Sequence, residues 1–176
     1  MKKITFLFLA AFLTLSINLQ AQSAVDKIFN KYSDKAGFTS VTMNKYMFEM
    51  ISRMDTSAKG KDFNKAVSQL ESIRILATDS VTNLQVNLYD EAMKALPAKD
   101  YKELMTVKDK GTNVKFMILE KGDIVTELIL ISGGKNDNNA LIVIKGQIDL
   151  ASIGSIARNL KIDGLEPLEK LNEHKK

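Results

Sequence analysis

The stretch ISGGKNDNNALIVIKGQIDL, residues 131–150, sets two glycines, a lysine, an aspartate and three asparagines between two apolar runs. Read as a phosphate cradle, 133–139 would need G-x-x-x-x-G-K-[ST] between a strand and a helix. Here one β-like run, 124–131, leads through it into another, 140–148. Read as a calcium loop, Asn136, Asp137, Asn138 and Asn139 supply oxygens. The glycine and the distal glutamate of an EF-hand are missing, however, and the twelfth position falls on Gln147 inside the second run. The stretch is therefore expected to be a hairpin turn, with Gly and Asn suited to positive-φ positions. Both flanking runs are apolar on both faces, which places them in the middle of a sheet.

The rest of the chain follows from that pair. Runs 104–107, 114–119, 124–131 and 140–148 are short and apolar, and are separated by Asp109-Lys110-Gly111, Lys121-Gly122-Asp123 and the 133–139 turn. That texture predicts an antiparallel meander. Upstream, Val25, Ile28, Phe29 and Tyr32 share one helical face, with Gly37 placed to end the helix. A strand is expected at 38–43, then a helix at 45–54 capped by Asn44. A polar loop follows at 55–62, a helical turn near 63–67 and a strand at 72–78. Asp79 and Ser80 offer caps for a helix closed by Pro97, and a last helix starts at Asp149 with Leu150, Ile153, Ala157 and Leu160 on one face.

The order α-β-α-β-α-β-β-β-β-α predicts an α+β fold: one mostly antiparallel or mixed sheet with helices packed mainly on one face. If only one face is covered, Leu119, Val125, Ile129 and Val143 become a contact surface for a partner protein or a second copy.

Met1-Lys2-Lys3 followed by an apolar run at 4–15 and a small residue at Ala21 has the order of a secretory signal peptide. The run is shorter than the roughly 20 residues a membrane span needs. The expectation is a signal at 1–21, one domain at 22–160 and a charged tail at 161–176, the product being exported to the periplasm or beyond with no membrane span left. The net charge of +4 drops by two when Lys2 and Lys3 leave with the signal, and the charges are interspersed. No nucleic-acid footprint is present in that pattern.

Composition also bounds the chemistry. There is no cysteine, and the single histidine is His174 in the tail. A Ser-His or Cys-His nucleophile needs its imidazole held rigidly beside it, and zinc needs Cys, His or clustered carboxylates. No cofactor is expected. Met43, Met47, Met50 and Met54 fall at i, i+4, i+7 and i+11. Thioethers favour Cu(I), but a methionine stripe at helical spacing is expected first to be core filler. Gly146 and Asp149 form a strand-to-helix corner that could face a ligand. The simpler reading makes Asp149 an N-cap and Gly146 a bulge or close approach.

The stretch LIVIKGQIDLASIGSIARNL (141–160), preceded by ELILISGG (127–134) and YKELMTVKDKGTNVKFMILE (101–120), resembles a family of small exported Bacteroidota proteins known as domain of unknown function 4252. The likeness extends to VTMNKYMFEMI (41–51) and LESIRILATDS (70–80). It implies a signal peptide and a compact α+β domain, and it assigns no catalytic residue to any position. The expected function is a non-enzymatic interaction or binding module of the cell envelope. The alternatives are a carboxylate-dependent enzyme near Asp149 and a periplasmic metal binder using the methionine helix.

Overall fold

The computed structural model describes residues 24–54, 64–78, 86–97, 99–109, 111–134 and 139–153. The expected signal at 1–21, the expected loop at 55–62 and the expected tail at 161–176 lie outside the described residues.

Helix α1 (Ala24–Tyr32) buries Val25, Ile28, Phe29 and Tyr32, the four positions that repeat at helical spacing. Gly37, at φ 82, turns the chain into β1 (Phe38–Asn44), where Phe38 stacks on Tyr32 with centroids 4.9 Å apart. The Met47 N–H donates to Asn44 Oδ1 at 3.2 Å, opening α2 (Lys45–Met54) with the expected cap. A helical turn at 64–67 leads into β2 (Leu70–Thr78). Helix α3 (Leu88–Ala95) starts at Asn87, which is extended at φ −101 and accepts from the Asp90 N–H. The expected caps at Asp79 and Ser80 lie outside the described residues; what is described shows α3 beginning later, at a local asparagine cap.

Strands β3 (Lys102–Asp109), β4 (Thr112–Lys121), β5 (Ile124–Gly134) and β6 (Ala140–Ile148) form the meander. Gly111 and Gly122, at φ 94 and 63, make its first two turns. All pairings are antiparallel, and the six strands run β1-β2-β6-β5-β4-β3. The two-sided apolar strands β5 and β6 are thus the central pair.

The 133–139 stretch does connect an antiparallel pair, with Ser132 opposite Ala140; 135–138 lie outside the described residues. Gly133 itself belongs to β5 rather than to a turn. A Cβ there would stand 2.7 Å from Asn87 Oδ1 and 2.8 Å from Tyr89 Cβ. Its smallness lets the start of α3 descend onto the sheet.

Alternation sends apolar side chains to both faces. On one, α1 and α3 bring Phe29, Leu88 and Ala92 against Leu76, Met117, Ile129 and Val143. On the other, Phe48 of α2, Val67 and Ile153 belong to a layer with Ile73, Phe116, Leu128 and Ile144. Among the described residues, α1 and α3 share one face while α2 and the 64–67 turn lie on the other, so the fold is α+β with helical cover on both sides of the sheet rather than mainly on one. Each of the larger buried side chains contributes about 1.5–3 kcal/mol. Leu119, Val125, Ile129 and Val143 do not form a common open surface. Ile129 and Val143 lie in the layer with α1 and α3, while Val125 points to the opposite layer. An extra residue, Thr126, reverses the alternation between them.

The chain then enters a 3-10 turn, Leu150–Ser152, and buries Ile153; Ala157 and Leu160 lie outside the described residues. Among the described residues, no helix is long and apolar enough to cross a membrane.

Candidate functional site

Ladder irregularities converge at one end of the sheet. β2 pairs Leu70 with Gly146 and Ser72 with Lys145, which leaves Glu71 as an extra residue. β5 pairs Val125 with Glu120 and Glu127 with Leu119, which leaves Thr126 extra. Across β6, Val125 and Glu127 face Ile148 and Lys145, so Thr126 alone stands opposite Gly146 and Gln147. Bulges bend strands and re-aim side chains. Here they surround a cleft of about 390 Å³, with Glu71, Lys121, Thr126, Glu127, Lys145 and Gln147 as its polar lining. Leu119 and Ile124 supply apolar wall.

Gly146 makes this geometry attainable. Its φ of 132 suits glycine, and a Cβ would press on the Gln69 carbonyl oxygen, 2.7 Å from Leu70 Cα and 2.8 Å from Glu71 N. The Gln147 N–H donates to the same Gln69 carbonyl at 2.9 Å. At this point β2 and β6 meet backbone against backbone.

Lys145 and Glu127 are direct cross-strand partners, and each is held by a second group. The Lys145 ammonium lies 3.6 Å from Asp26 Oδ1 of α1, which also accepts from Arg74 Nη1 at 2.7 Å. Arg74 in turn lies over the Phe29 ring, 3.9 Å from its centroid. The Tyr101 hydroxyl donates to Glu127 Oε1 at 3.1 Å. The result is a run of alternating groups, Tyr101, Glu127, Lys145, Asp26 and Arg74, from the start of β3 across to α1.

Glu127 is only 6% exposed. Burial pushes its carboxyl above the ordinary range; Lys145 and the Tyr101 hydrogen bond oppose that rise, and Asp26 adds to it. Burial likewise raises the Tyr101 phenol, with the charge of Glu127 second. A cleft carboxyl perturbed in this way is a candidate ligand or proton-transfer group.

The residues singled out in the sequence separate. Gly146 lines the cleft. Asp149 is exposed at the start of the 3-10 turn, where its Oδ2 accepts from Ser152 Oγ at 2.8 Å and its carbonyl from the Ser152 N–H at 2.9 Å. Its carboxylate thus meets a side-chain hydroxyl of its own turn. Met43 is half-buried against the core. Met47, Met50 and Met54 are exposed, while Phe48 and Ile51 turn inward from the same helix. The expected buried methionine face is therefore corrected: the larger Phe48 takes the inward arc, where its ring buries more area. Glu127, Lys145, Tyr101, Asp26 and Arg74 were not singled out. A signal for two of them existed, since Glu127 and Lys145 are lone charges within otherwise apolar strands.

Among the described residues, no group of three or more His, Cys, Asp or Glu side chains is placed to hold a metal ion. No curated protein matches the chain, and no solved structure matches it. A family model does, over residues 32–156. That span takes in the whole sheet, the cleft and all of the charged run except Asp26, and the chain belongs to the family described as domain of unknown function (DUF4252).

Proposed function

We propose that the chain is an exported, non-enzymatic binding module of the cell envelope, and that its cleft takes a small zwitterion such as an amino acid or short peptide. The observation that supports this reading is the pairing of opposite charges in one small cleft. Lys145 is held by Asp26 and Glu127 by Tyr101. A ligand carrying both an ammonium and a carboxylate finds both partners already placed, which lowers the ordering cost of binding. The cleft volume is within the range of small-ligand sites. Export rests on the signal-like order at 1–21, and the intact mass of the isolated chain checks it: cleavage after Ala21 leaves Gln22 as the first residue.

The binding reading is tested by titrating the ¹⁵N-labelled chain with a panel of amino acids and dipeptides. Expected are saturable amide shifts at Lys145, Gly146 and Glu127, lost in Lys145→Ala. A panel that shifts none of these amides removes the reading.

The raised carboxyl of Glu127 favours a second reading, a carboxylate-dependent enzyme in which Glu127 rather than Asp149 moves the proton. The same samples separate the two. Ligand resonances persist for a binder and convert to product for an enzyme.

A further inference from the structure

Beyond the cleft, the least expected surface is on α2. Tyr46 is 80% exposed, Met47 40%, Met50 53% and Met54 79%. Methionine normally fills cores, and α2 does bury an apolar face, using Phe48 and Ile51. The outward methionines are surplus to that packing. At 3.6 residues per turn and 1.5 Å rise, Met47, Met50 and Met54 lie within an arc of about 60° and a length of about 10 Å. Met50 sits between the other two. Each thioether is on a flexible unbranched stem, so three sulfurs from this arc can reach one point above Met50.

We infer that Met47, Met50 and Met54 form a thioether site for a soft monovalent cation, Cu(I) above all. Thioether sulfur is a soft donor that selects Cu(I) over the hard and borderline ions that carboxylate and imidazole prefer. The chain has no cysteine, so methionine supplies all of its soft sulfur. Met43, packed against the core, is outside the site. The charges on α2 are two cations and one anion. Lys45 is paired with Glu49 at 4.0 Å, and Arg53 is the cation on the flank. This inference is independent of the cleft and of the zwitterion reading.

The test uses the chain as isolated from cells expressing the full gene, with the methionine methyls ¹³C-labelled. Cu(I) is supplied under nitrogen as its acetonitrile complex, and Zn(II) is added to a parallel sample. Expected with Cu(I) are saturable shifts of the Met47, Met50 and Met54 methyls at one equivalent, with Met43 unmoved and no response to Zn(II). Loss of an outer-shell partner of a metal ligand already costs about 10–100-fold in affinity, so Met50→Leu should weaken binding by at least about tenfold. Leucine conserves the apolar volume, and the triple leucine variant should keep the wild-type circular dichroism while binding no Cu(I). The inference is overturned if the three methyls do not move, if Zn(II) moves them equally, or if the folded triple variant still binds. The wild-type methyl readout decides the matter even if that variant fails to fold.

Discussion

Glu127 and Lys145 stand opposite each other on the two central strands, each the lone charged side chain in an otherwise apolar run. Position alone would make either costly to bury. Their neighbours make the pair tolerable, and the consequences can be measured residue by residue.

Glu127 gives the chain a specific pH dependence. Its carboxyl is raised above the ordinary 4.5 by burial. Between that value and the raised one, the folded chain holds a proton that the unfolded chain has released, so this residue's contribution to stability falls as pH rises. At neutral pH its ionised form is a net cost. Glu127→Gln, which can still accept from Tyr101, should be more stable than wild type at neutral pH, with the advantage gone below 4.5. Glu91 and Glu103 are lowered, by hydrogen bonds from Lys31 and Lys115 respectively, and slope the other way. The observable is therefore the difference between variant and wild type in urea unfolding across the pH range.

Tyr101→Phe deletes the donor to Glu127. The variant should lose about 1 kcal/mol. In addition, the Glu127 carboxyl should rise further, because the Tyr101 hydrogen bond works against its elevation. A ¹³C carboxyl titration reads this directly; an unchanged or lowered midpoint for Glu127 would contradict the geometry.

Asp26→Asn takes the shared counter-charge away from Arg74 and Lys145. Both cations are partly buried, and the loss should be about 1–3 kcal/mol. Denaturant unfolding of Asp26→Asn, Arg74→Met and the double variant forms a cycle. A coupling energy near zero would mean that the 2.7 Å contact does not bind α1 to the sheet.

Two glycines with positive φ should behave differently. At Gly122, φ is 63 and no atom lies within 4 Å of an added Cβ, so Gly122→Ala should cost only about 1–2 kcal/mol of left-handed strain. At Gly146 the added Cβ meets the β2 backbone. There the strain of about 1–3 kcal/mol is joined by a displaced strand, so Gly146→Ala should be the more destabilised of the two and should also alter the amide spectrum around Glu71. Equal midpoints for the two variants would remove the close approach as the reason for this glycine.

The fold was largely legible because its signals are local. The Val25, Ile28, Phe29 and Tyr32 repeat marks one face of α1, and those residues are the buried ones. Strand β6 and helix α2 have the bounds their sequence suggests. On α2 the inward direction was not legible. Tyr46, Met47, Phe48, Met50, Ile51 and Met54 leave the helix apolar over two arcs, and only the sheet chooses between them. The cleft escaped for another reason. It is assembled by Thr126 and Glu71, residues whose importance is that they have no ladder partner. A bulge is a relation between strands, and no periodicity within one strand announces it. The Gly146 corner was visible as a place, whereas Asp26 and Tyr101 reach it from segments distant in the chain.

The aligned bulges also give the sheet a crease. On the far side of that line, β2, β6, β5 and β4 keep an unbroken register from Ser72, Lys145, Glu127 and Leu119 onward. Beyond it the hairpin tip at Gly122 and the first residues of β2 are attached through dislocated pairings. The same four strands are thus regular on one side of the line and bent out of their ladder on the other.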